Sequence, residues 1–141
     1  MECFFIDTNV LIYALDSRHE NKRTIARSII SQALENPHAH VVSTQILQEY
    51  FVTATKKMGI SAEDCSEHIH YFTRMNLVTI SVEIIQQAIL LHRKHAFSFW
   101  DALVIQSAIF SECTHLYSED LQHNQIIHAI RIINPFLVPH S

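Results

Sequence analysis

Glycine occurs once in the 141 residues, at Gly59, and that scarcity excludes several kinds of chemistry. Neither a GxGxxG dinucleotide turn nor a GxxxxGKS/T phosphate loop can be written with one glycine. A GxSxG nucleophile elbow is excluded for the same reason. Cysteine is also scarce: Cys3, Cys65 and Cys113 are odd in number and lie 62 and 48 residues apart. They make neither a disulfide framework nor a zinc knuckle, and reduced thiols in a cytoplasm are the expectation. The longest unbroken apolar run, Val10 to Leu15, has six residues, against the ~18 that a membrane-spanning helix needs. Met1-Glu2-Cys3 places no cation ahead of an apolar segment, so no secretory signal is expected. Positive charge is in deficit as well, with 10 basic against 14 acidic residues and a net charge of −4. A protein holding nucleic acid by bulk charge alone would be basic. Any nucleic-acid partner must therefore be met by a local patch or through a metal ion.

What is present is apolar. Hydrophobic types make up 48% and charged types 17%, which supplies a sizeable core and argues against disorder. The length fits one compact domain, and no repeat or linker divides it, so a single domain over residues 1–141 is expected. Short β-type runs alternate with longer helical ones. Strands are predicted at Cys3–Ile6, His40–Val42, Leu77–Ile80, His115–Tyr117 and Arg131–Ile133. Helices are predicted over Lys22–Leu34, from Ser43-Thr44 to Lys57, from Ser61 to Met75, over Val82–His95 and over Phe99–Ser111. Gly59 should stop the second of these, and Ser61-Ala62-Glu63-Asp64 reads as a capping box opening the third. The alternation predicts a three-layer α/β/α fold around a central parallel sheet. Ligand sites in such sheets lie beyond the carboxyl ends of the strands.

The informative residues are acids standing where burial is expected. Asp7 lies between Phe4-Phe5-Ile6 and Val10-Leu11-Ile12, at the end of the first strand. A charge there is costly unless paired, although a helix N-cap accounts for it equally well. Asp101 stands in the first turn of a helix that is apolar on nearly every side, where Ser98-x-x-Asp101 also satisfies a capping pattern. Asp120 follows the strand His115–Tyr117, and an ordinary acidic turn explains it singly. Glu49 falls beside the apolar face of Ile46, Leu47, Tyr50, Phe51 and Ala54, where a solvated side chain is the ordinary reading. Together they say more. Two lie at strand ends and two in the opening turns of helices that follow strands, so all four could converge on one edge of the sheet. No Lys or Arg is close in sequence to Asp7, Asp101 or Asp120. Converging carboxylates repel and raise one another's pKa, a cost that a divalent cation removes. Oxygen-only ligands select Mg²⁺ or Mn²⁺ over zinc, and such an ion equips a phosphodiesterase.

These residues resemble a known family. Phe5-Ile6-Asp7-Thr8-Asn9-Val10-Leu11-Ile12-Tyr13 resembles the opening of PIN-domain ribonucleases, especially the VapC-like toxins of type II toxin–antitoxin pairs. Ser43-Thr44-Gln45-Ile46-Leu47-Gln48-Glu49-Tyr50 is similar to their second block. Phe99-Trp100-Asp101-Ala102-Leu103-Val104 is similar to the third, and Tyr117-Ser118-Glu119-Asp120-Leu121 to the fourth. The resemblance runs from about Phe4 to Phe136, with the blocks in the family's order. It implies a Mg²⁺- or Mn²⁺-dependent endoribonuclease with Asp7, Glu49, Asp101 and Asp120 as its catalytic acids. Asp7, Asp101 and Asp120 would be the metal ligands, with Thr8, Asn9 and Ser118 in support. Cleavage would leave a 5′-phosphate and a 3′-hydroxyl. Further implications are an RNA substrate, a cognate antitoxin, a homodimer, a cytoplasmic location, and contact with DNA only through the antitoxin. Where many relatives carry a glycine after the Asp-Leu pair, this chain has Asn124, which tolerates left-handed backbone angles.

The remaining residues are read more plainly. The eleven histidines include no metal-ligand spacing, and scattered surface imidazoles are expected. Lys22, Arg23 and Arg27, Lys56-Lys57 and Arg93-Lys94 read as solvated faces, with a combined patch beside the acids as the functional alternative. Tyr13, Tyr50, Phe51, Tyr71 and Phe72 sit on helices that need covering, by core or by a partner. A non-catalytic PIN-fold module that binds a partner through the same surface is the rival function. A phospho-accepting receiver domain is disfavoured because Asp7 is followed by Thr8-Asn9 rather than by an acidic doublet, and no Lys follows the strand His115–Tyr117.

Overall fold

In the computed structural model of the chain, which describes residues 1–137, the apolar segment Phe4–Ile6 forms strand β1. Helices α1 (Thr8–Tyr13) and α2 (Glu20–Glu35) follow, and a 3₁₀ turn at Pro37–Ala39 leads into β2 (His40–Ser43). Then come α3 (Thr44–Lys56), α4 (Ala62–Phe72), β3 (Asn76–Val78), α5 (Val82–Lys94) and α6 (Phe99–Phe110). The chain finishes with β4 (His115–Tyr117), β5 (Ile126–Ile127) and β6 (Ile130–Ile133). The last four residues of the expected domain, 138–141, lie outside the described residues.

The six strands form one sheet in the order β3-β2-β1-β4-β6-β5. All neighbours are parallel except β5 and β6, so the sheet is mostly parallel, as a three-layer α/β/α fold requires. Phe5, Ile6, Val42, Leu116 and Ile132 are fully buried, the continuous apolar reading of strands covered on both faces. From β1 the chain steps outward to β2 and β3, then crosses back to lay β4 on the other side of β1. The carboxyl ends of β1 and β4 therefore flank the point where the strand order reverses, which is where such sheets form ligand crevices.

The helices start where their caps predict. Ser43, Ser61, Ser81 and Ser98 each accept a hydrogen bond from the amide three residues on. Gly59, at φ +68°, lies within the loop after α3 in a left-handed conformation that costs glycine nothing. Helix α6 buries Ala102, Leu103, Val104, Ile105 and Ala108, as its all-round apolar character predicts.

Helix α1, implied by the N-cap reading of Asp7 and by the place of Tyr13 on a helix but given no bounds, runs from Thr8 to Tyr13. Three local expectations need correction. β5 was missed because its tight turn to β6 uses His128 (φ 48°) and Ala129 (φ 68°) rather than Asn-Gly. β3 ends at Val78 rather than Ile80, since the Ile80 amide donates to the Thr44 hydroxyl at 3.2 Å instead of joining the ladder. His40 is no surface imidazole: it is buried against the Phe4 ring, with Nδ1 2.9 Å from the Asn36 carbonyl. Asn124 does take the left-handed angle, at φ 68°. Of the aromatic residues in doubt, Tyr50 and Phe72 are buried, whereas Phe51 and Tyr71 remain exposed. No helix among the described residues is long and apolar enough to cross a membrane.

Candidate active site

Asp7 leaves β1 as the N-cap of α1. One carboxylate oxygen accepts from the Thr8 amide at 2.8 Å, and the other accepts from the Ser118 hydroxyl at 2.9 Å. Capping and a role in the crevice thus coincide in one side chain. Only 8% of the residue is exposed, and burial pushes the carboxyl from 3.8 up to about 7. The two hydrogen bonds pull it down, while the charges of Glu49 and Asp120 push it further up. Asp16 is a useful contrast, because it is equally buried yet accepts from the Arg18 guanidinium at 3.1 and 3.3 Å. That hydrogen bonding holds its carboxyl well below the usual range. Among the described residues Asp7 has no such cation.

Asp7, Glu49, Asp101 and Asp120 all line one cleft of about 560 Å³, together with Thr8 and Asn9. Ser118 stands behind Asp7, fully buried. Every predicted site residue is therefore gathered at the switch point. Glu49 sits one turn deeper in α3 than the opening turn expected for it, and it is half-buried rather than solvated. It is held by the Thr8 hydroxyl at 2.6 Å and by the Gln45 amide at 3.3 Å. Asp101 stands in the first turn of α6, its amide donating to Ser98. Asp120 follows β4 and accepts from the Asn9 amide at 2.8 Å. Burial raises its carboxyl, and the charges of Asp101, Glu119 and Glu49 add to that. The nearest acid to it in sequence, Glu119, is itself paired with Lys22 at 2.6 Å.

Among the described residues no Lys, Arg, His or Cys lines this cleft, so its donors are oxygens and amides. That set suits a hard divalent cation. As the side chains stand, however, no three His, Cys, Asp or Glu groups among the described residues are drawn closely enough to hold an ion. Thr8 and Ser118 hold Asp7, Thr8 and Gln45 hold Glu49, and Asn9 holds Asp120, so three of the acids are fixed in place by neutral donors.

Gln45 is the residue that sequence reasoning missed. It is 5% exposed, its amide nitrogen donates to Glu49 and to the Trp100 carbonyl, and its oxygen Oε1 is buried without a partner among the described residues. A glutamine one residue after a capping pair carries no periodic or charge signal that would have singled it out.

The PIN-domain family model matches residues 4–128, nearly the whole fold just described, and the chain belongs to the PIN-domain family. That family includes ribonucleases, and its nucleases in general depend on divalent metal. No curated protein matches the chain in sequence. Among solved structures, the chain is similar to a toxin–antitoxin complex from Klebsiella pneumoniae, with 21% identity and a TM-score of 0.65. That match covers 95% of this chain and 98% of the other. It is similar to a DNA-bound VapBC complex from Salmonella typhimurium at 18% identity and TM-score 0.64, covering 94% and 97%. A third likeness is to VapC20 of Mycobacterium tuberculosis, described as a toxin that cleaves the sarcin-ricin loop. It has 19% identity and a TM-score of 0.61, and the match covers 83% and 89%. At these identities the likeness is one of fold.

Proposed function

We propose that the chain is a Mg²⁺- or Mn²⁺-dependent endoribonuclease, the toxin of a toxin–antitoxin pair. The observation that carries this reading is the gathering of Asp7, Glu49, Asp101 and Asp120 around one cleft that no basic side chain among the described residues lines. Asp7, Asp101 and Asp120 would hold the ion, and Glu49 would orient a water. When bound, the ion supplies Lewis acidity toward a phosphoryl oxygen and lowers the pKa of water. The chain's own groups prepare for it. The Thr8 amide and the Ser118 hydroxyl fix the Asp7 carboxylate and favour its ionised form. The Thr8 hydroxyl and Gln45 set the direction of Glu49, and Asn9 sets that of Asp120.

The toxin assignment is supported by the structural neighbours, among them the Klebsiella pneumoniae toxin–antitoxin complex and the DNA-bound VapBC complex of Salmonella typhimurium. In this reading the partners are an RNA substrate and a cognate antitoxin, and DNA is met only through the antitoxin. The exposed side chains Phe51 and Tyr71 are consistent with a homodimer, and the reduced cysteines with a cytoplasmic location. The alternative reading is a non-catalytic PIN-fold module that binds a partner through the same surface. Incubating total cellular RNA with the native chain and Mn²⁺, against chelator and against Asp7→Asn, separates the two. Discrete metal-dependent cuts with 5′-phosphate ends, absent from the variant, are expected. Full cleavage by Asp7→Asn would remove Asp7 from the mechanism, and an inert chain that binds no Mn²⁺ would leave the module.

A further inference from the structure

We infer that Trp100 is a base-stacking platform. It would take one nucleobase of a single-stranded RNA whose backbone crosses Asp101 and Asp120. This rests on the ribonuclease reading and adds to it a substrate form and a residue that binds it.

Trp100 is 62% exposed in the first turn of α6, yet it lines the acidic cleft beside Val52 and Val104. An indole left in water at the rim of a cleft contributes little to the core. The neighbouring Phe99 packs on the core and meets the indole edge-to-face at 5.2 Å. The main chain beneath the ring is fixed, because the buried Gln45 amide donates both to the Trp100 carbonyl and to Glu49, each at 3.3 Å. One side chain thus couples the aromatic rim to an acid of the site.

A second cleft, of about 370 Å³, is lined by His95, Phe97, Gln122 and Gln125. Asp101 and Asp120 line both clefts, so a strand running from one to the other passes over them. Cations stand next to residues of each cleft along the chain. Lys56 lies on the α3 face that carries Glu49, Val52 and Thr53, one turn beyond the first cleft. Arg93 and Lys94 end α5 immediately before His95. All three are exposed, and none is in an ion pair among the described residues. Phosphates at these cations, a base on the indole and a phosphate at the acids describe one extended strand. A duplex does not fit this arrangement, since its bases are already stacked on one another.

Trp100 is the only tryptophan in the chain, so its emission reports on the site directly. The native chain is titrated, with Ca²⁺ as the hard cation, against a short single-stranded RNA of mixed sequence and against the same strand in duplex. The single strand is expected to quench the emission saturably and the duplex to do so weakly. In anisotropy with a labelled strand, Trp100→Ala should lose on the order of tenfold in affinity or more, while Trp100→Phe keeps most of it. Absence of strand binding, binding that leaves the emission unchanged, or equal affinity of Trp100→Ala would overturn the platform. Mn²⁺-dependent cleavage that is unimpaired in Trp100→Ala would also overturn it, leaving the nuclease reading intact. Quenching by the single strand in a chain that cleaves nothing would sustain the platform and remove the nuclease.

Discussion

Replacing Asp7 by Asn should stabilise the metal-free chain, and by an amount that depends on pH. The folded chain keeps the Asp7 proton up to about pH 7, whereas the unfolded chain releases it near 3.8. Below 3.8 the group is neutral in both states and costs nothing. Between these values folding takes up a proton, so stability falls as pH rises, and the loss is complete above about pH 7. At about 1.4 kcal/mol per pH unit, the gap corresponds to about 4 kcal/mol. The Asn side chain keeps the neutral shape: its oxygen accepts from the Thr8 amide, and its nitrogen donates to the Ser118 hydroxyl. In chelator, urea unfolding of both proteins should therefore coincide near pH 4. The Asp7→Asn variant should lead by about 4 kcal/mol at pH 8, with the difference growing by about 1.4 kcal/mol per pH unit between. A difference independent of pH, or a native chain more stable than Asp7→Asn at pH 8, would refute the claim that Asp7 is buried without a cation.

Three further outcomes are expected. Ser118→Ala removes a hydrogen bond that favours the ionised Asp7, so the acidic limb of the cleavage pH profile should move up by about one pH unit. An unmoved profile contradicts this. Ser98→Ala removes the cap of the helix that carries Trp100 and Asp101, and should cost about 1 kcal/mol in urea unfolding. Burial pushes the Cys113 thiol up to about 12, so iodoacetamide at pH 8 should leave it unmodified in the folded chain and label it rapidly in urea. Equal labelling rates in the two states would show the thiol to be accessible.

The parts of this structure that were legible in advance are those with a local signal. The buried strand before Asp7, the serine caps of α3, α4 and α6, and the all-round apolar α6 follow from composition and spacing, and they place Asp7 and Asp101. The rest depends on contacts that spacing does not encode. Glu49 reads as a surface residue because its burial comes from Thr8, 41 residues away. Gln45 acquires its meaning only from Trp100, 55 residues on. Cys3 and Cys113, 110 residues apart, bring their sulfurs to 3.3 Å because the strands that follow them, β1 and β4, pair in register. The β5–β6 turn was illegible for a different reason: His128 and Ala129 adopt left-handed angles that their residue types do not announce.

The account stands on Asp7, Asp101 and Asp120 acting as one divalent-cation site, and Mn²⁺ binding followed by electron paramagnetic resonance tests this most directly. The native chain should bind Mn²⁺ at pH 8, with affinity falling about tenfold per pH unit below about pH 7 as protons compete for Asp7. Asp7→Asn and Asp101→Asn should each bind far more weakly. No binding by the native chain, or equal binding by both variants, would contradict it.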